Sequence, residues 1–169
     1  MHGHHEKEMI QRHPALSAQG LKEAGNDVFG TIQEVIQKLE VDPETDWSKV
    51  DLEQLRQHLL DMCHFTINVE VISQEPISAG VKIVIRPTMP AASIALDRAL
   101  SAHPKMMKKE TGWDIKFTKT DHTYVITATT SKSDEIDKLR GLGYIGIMAY
   151  GKHHQPHHWA MATGKHPHY

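Results

Sequence analysis

His153, His154, His157 and His158 stand within six residues in the pattern His-His-x-x-His-His, so His153/His157 and His154/His158 are both i, i+4 pairs. On a helix each pair shares one face within reach of a single ion, the spacing that zinc proteases use in a His-Glu-x-x-His helix. Pro156 lacks a backbone N–H, so a helix beginning there would carry only His157 and His158 in its first turn. Four imidazoles are poor core material and serve a solvated face less well than Lys or Glu. Metal ligation is therefore favoured over a His-rich surface loop or a cloning remnant.

Two further segments pair histidine with sulfur. His58 and Met62 are at i, i+4, with Asp61 one turn from His58 as a carboxylate able to orient the imidazole, and His103 is followed by Met106 and Met107 at i+3 and i+4. Imidazole with thioether suits a soft ion such as copper(I), and the absence of a Glu-rich counterpart leans away from a di-iron site. The competing reading makes these histidines core or boundary residues and the methionines gap fillers. At the start of the chain, His2-Gly3-His4-His5 would suit square-planar copper(II) or nickel(II) only if Met1 were removed, and a tag remnant is the alternative.

Other chemistries lack their signatures. The only glycine fingerprint, Gly141-Leu142-Gly143-Tyr144-Ile145-Gly146, follows an expected helix instead of a strand and reads as a turn and close-packing device. Cys63 is the sole cysteine, which excludes an intrachain disulfide or a Cys-rich metal site, and His64 beside it in sequence points elsewhere. Nineteen Lys and Arg against 21 Asp and Glu leave a formal charge of -2 without a basic block, so nucleic acid is not an expected partner. No apolar run is long enough for a membrane span. Fourteen histidines in 169 residues, clustered instead of scattered, are the compositional anomaly.

The elements that must position these residues follow from hydrophobic periodicity. Residues 1–14 form a His-rich extension, and residues 15–169 a single domain ending in the His-rich segment 153–169. A long amphipathic helix is expected over Leu16 to Leu39, and a second at about Leu52 to Met62 with Ser48 or Asp51 as N-cap. Alternation at Phe65, Ile67, Val69 and Val71, then at Val81, Ile83 and Ile85 after a Pro76 to Gly80 loop, predicts a hairpin. Met89-Pro90 opens a helix that Pro104 kinks or restarts. Trp113, Ile115 and Phe117, then Tyr124, Ile126 and Ala128, predict a second hairpin, and Ser133 caps a short helix through Leu139. The result is an α+β fold: a four-stranded antiparallel sheet with strand-strand-helix occurring twice and helices on one face.

If one layer of helices covers the sheet, His58, His103 and the C-terminal cluster should face a common cavity. The function expected is binding of a transition metal, copper ahead of zinc, for storage, delivery or sensing, with His153, His154, His157 and His158 as principal ligands. A metalloenzyme with an open histidine site and a non-covalent haem protein using His58 or His103 are the alternatives. Affinity should fall between pH 7 and pH 5, because imidazole coordinates only when neutral and its ordinary pKa is near ~6.5. No leader pattern opens the chain, so it is either cytoplasmic or, if a signal peptide has been removed, periplasmic or secreted, and location stays open. Association into a homo-oligomer stays open.

Overall fold

The computed structural model describes residue 21, residues 27–151 and residues 153–165. The long N-terminal helix falls only partly within them: α1 spans Val28–Val41, capped by Asp27, whose carboxylate accepts from the Gly30 N–H. The rest of that expected helix, and the His2-Gly3-His4-His5 motif, lie outside the described residues.

The helix α2 runs Leu52–Ile67, with Asp51 as N-cap accepting from the Gln54 N–H at 3.0 Å. It is five residues longer than periodicity suggested. Phe65 belongs to the buried stripe of Leu55, Leu59 and Met62, so its apparent alternation with Val69 is a helical position read as a strand. Strands β1 (Val69–Ile77) and β2 (Gly80–Pro87) form the first hairpin, with Ile77 paired to Gly80. Pro76 is thus a strand residue on an edge, where its missing N–H costs no ladder bond, and the turn is shorter than the expected loop.

The helix α3, Pro90–Thr111, continues through Pro104, which neither ends nor restarts it. β3 (Asp114–Thr120) and β4 (Thr123–Thr129) make the second hairpin. Ser133 lies in a 3-10 turn, Ser133–Glu135, instead of capping a helix, and α4 follows as Ile136–Ala149. Gly143 breaks α4 with φ 59, and a Cβ there would stand 2.5 Å from Gln74 Oε1, which accepts from the Tyr144 N–H at 2.8 Å. The glycine fingerprint is therefore a kink pressed onto β1. The last helix, α5, spans His154–Ala162.

The sheet order is β1-β2-β4-β3, antiparallel throughout, so the two strand-strand-helix units meet at β2 and β4. Val81, Ile83, Ile85, Tyr124, Ile126 and Ala128 are buried, while the residues between them face outward. One face thus carries the helices, as alternation requires. α3 and α4 pack on the sheet, and α2 packs chiefly on α3 and α5. None of the helices is long and apolar enough to cross a membrane among the described residues.

Candidate metal centre

Position follows from how α5 is tied to α2. The Asp51 N–H donates to the Ala162 carbonyl at 2.8 Å, and Gln54 Nε2 donates to the Lys165 carbonyl at 3.0 Å. The end of α5 is thereby pinned to the start of α2, and the helices run antiparallel, which carries His157 and His158 back along α2 to His58 and Met62. Pro156 sits inside the first turn of α5, where its N–H would have no intrahelical partner. The helix therefore starts two residues before Pro156, and the His157 N–H donates to the His153 carbonyl at 3.0 Å.

A cavity of about 60 Å³ opens between α2, α3 and α5. His58, Met62 and Phe65 line it from α2, His103 and Met106 from α3, Met148 from α4, and His153, His154 and His157 from the C-terminal segment. Ala99 and Ala102, one turn before His103 and Met106 on the same face of α3, leave the room. The expected convergence on a common cavity thus holds for His58, His103, His153, His154 and His157. Two expected residues are exceptions: Met107 is fully buried among core residues, and neither it nor His158 is part of the cavity wall.

The rings divide into two groups. In the first, the His58 ring centroid is 4.5 Å from that of His157 and 5.3 Å from that of His158, and His158 Nε2 lies 3.4 Å from Met62 Sδ. His158 is fully buried, and its Nδ1 has no hydrogen-bond partner. In the second, His103 and His153 are 5.6 Å apart and His153 and His154 4.2 Å, centroid to centroid. Asp61 does not orient His58: both its oxygens accept from Arg98 Nη1, at 3.1 and 2.9 Å. The carboxylate that meets an imidazole is Glu110, whose Oε2 is 2.9 Å from His153 Nδ1. Sequence reasoning missed Glu110, although it stands at i+7 from His103 and so on the same face of α3.

Burial keeps these rings neutral. Desolvation brings the His103 pKa down to about 4, against the opposing pull of its hydrogen bond to the Ile147 carbonyl, with His153 and His154 lowering it further. Desolvation likewise lowers His158 to about 4, with a smaller contribution from His154. His154 is lowered for the same first reason, then by His153, while hydrogen bonds to the Ala149 and Tyr150 carbonyls oppose the shift. A carbonyl only accepts, so His103 Nε2 carries the proton toward Ile147, at 3.1 Å, and Nδ1 keeps its lone pair. In His154, Nε2 is buried without a hydrogen-bond partner, which leaves Nδ1 as the donor to backbone. Neutral rings with one nitrogen held by an oxygen and the other carrying a lone pair are in the state that ligates metals.

Among the described residues, no three His, Cys, Asp or Glu side chains form a group able to hold a metal ion. The four C-terminal histidines are accordingly not a preassembled ligand set. What the fold assembles is imidazole with thioether. The chain matches no known protein family, and no curated protein or solved structure is significantly similar to it.

Proposed function

We propose that this protein binds copper(I) in a buried imidazole–thioether site formed by His58, Met62 and His158, and that it stores or delivers the ion. The observation that carries this reading is the 3.4 Å separation of His158 Nε2 and Met62 Sδ. Two ligands at about 2.1 and 2.3 Å from one tetrahedral ion stand about 3.5 Å apart, and two imidazoles on the same ion have centroids roughly 5 Å apart. The His58 and His158 rings, at 5.3 Å, match the second distance.

The donor set favours copper(I). Thioether sulfur selects copper(I), whereas a structural zinc site needs three or four thiolate, imidazole or carboxylate ligands. No such set is gathered among the described residues. Solvation supports the same choice, because a low-charge ion among neutral groups at His158 and Met62, 0% and 9% exposed, loses less on burial than a divalent one. An ion is favoured over an organic ligand by the cavity, whose volume of about 60 Å³ is well below the roughly 300 Å³ at which organic ligand pockets begin. The same comparison speaks against haem.

The test is an anaerobic titration with copper(I) against a chromophoric competitor such as bicinchoninate, followed by X-ray absorption. One tightly held copper(I) with both nitrogen and sulfur neighbours is expected, and the sulfur signal should vanish in Met62→Leu. Tight binding that survives removal of His58, Met62 and His158 together would overturn the assignment.

A further inference from the structure

We propose that His153, oriented by Glu110, is an outer metal contact, reachable from solvent, through which copper(I) passes by way of the cavity to His58 and Met62 on its wall and to His158 buried beside them. The proposal rests on the copper reading above and adds a route to it. The His153 and Glu110 side chains retain 17% and 30% exposure, whereas His158 has none. The cavity that His153 lines is also lined by His58 and Met62, with Met106 and Met148 on its wall between helices. Soft donors are thus available along the way.

The Glu110–His153 pair is built into the backbone. Gly151 takes φ 109, and a Cβ on it would stand 2.1 Å from Glu110 Oε2 and 2.8 Å from His153 Nδ1. Only glycine leaves space for the carboxylate to reach this imidazole. Glu110 Oε2 can only accept when ionised, so it holds the proton of a neutral His153 on Nδ1 and leaves the Nε2 lone pair for an ion. The carboxylate also offsets positive charge beside His153, where a cation arrives. One protein donor, His153 Nε2, is too few to retain an ion, and the remaining positions are left to the incoming carrier or to water. That is the coordination suited to an exchange position, and the buried group, with one sulfur and two imidazoles, is the tighter one.

The inference is tested by stopped-flow transfer of copper(I) from its bicinchoninate complex to the full chain. Glu110→Gln and His153→Ala should each slow uptake, by about tenfold if Glu110 acts as an orienting partner normally does. The equilibrium affinity, read with the same competitor, should fall far less in either variant than in Met62→Leu. Met62→Leu should do the reverse, with weaker affinity as its main effect. Uptake as fast as in the parent chain in both variants would overturn the proposal. So would a loss of affinity in Glu110→Gln as large as in Met62→Leu, because Glu110 would then belong to the retaining site. Should the parent chain itself fail to take copper(I) in the equilibrium titration, the copper reading falls, and this inference with it, before any variant is compared.

Discussion

His158 Nε2 and Met62 Sδ meet at 3.4 Å across the α2/α5 contact, although 96 residues separate them in the chain. In the metal-free protein this is at most a weak N–H···S hydrogen bond. With copper(I) it becomes the edge of a coordination sphere. Met62→Leu distinguishes the two roles, since leucine keeps nearly the same volume and removes only the sulfur. Stability of the metal-free variant should change by less than about 1.5 kcal/mol, as for other volume-conserving core exchanges. Copper(I) affinity should fall by more than the roughly 10–100-fold that loss of an orienting partner costs. Competitive titration and urea unfolding of the same preparation check both halves.

His158→Leu should leave the metal-free fold as stable as the parent, or more so. A buried histidine with a satisfied structural role would lose about 1–3 kcal/mol on such a change, because its bonding partners would be left unpaired. His158 instead has a nitrogen with no partner and a sulfur on the other, and both polar atoms disappear in leucine. The thermal midpoint without metal is the measurement, and its rise on adding copper(I) is the control. That rise should be lost. A clear fall in the metal-free midpoint would mark His158 as structural.

Much of the architecture was legible from local periodicity, and the failures share a cause. Period-2 alternation and turn residues are local signals, so both hairpins, the sheet class and the helix-covered face could be read from them. Phe65 was misplaced because its packing stripe with Leu55, Leu59 and Met62 competes with an equally good strand pattern, and only tertiary contact decides. Pro104 inside α3 was ambiguous for the same reason. In the site, residue types were visible but partners were not. Nothing in the sequence says that Asp61 is taken by Arg98, that Glu110 reaches His153, or that Met107 turns into the core while Met106 lines the cavity. The pairing of Met62 with His158 depends on how α5 docks, and that is fixed by backbone bonds at Asp51 and Ala162 that carry no side-chain signature.

Burial also moves the pH at which the site responds. An ordinary imidazole near ~6.5 would tie loss of metal to the interval from pH 7 to pH 5. His103 and His158 have pKa values of about 4 in the folded chain, so their lone pairs stay available through that interval. The cost appears in stability instead. Between about 6.5 and about 4 the unfolded chain binds protons at these two rings that the folded chain refuses, so stability falls as pH drops through this range and levels off below it. At about 1.4 kcal/mol per pH unit of difference, each ring accounts for about 2 kcal/mol of the loss between pH 7 and pH 5. Urea unfolding of the metal-free protein at those two pH values should show the loss, and His158→Leu should recover about half of the part due to these rings. If parent and variant lost stability equally, His158 would not be the ring whose neutrality the fold enforces, and its place in a buried copper(I) site would lose its electrostatic basis.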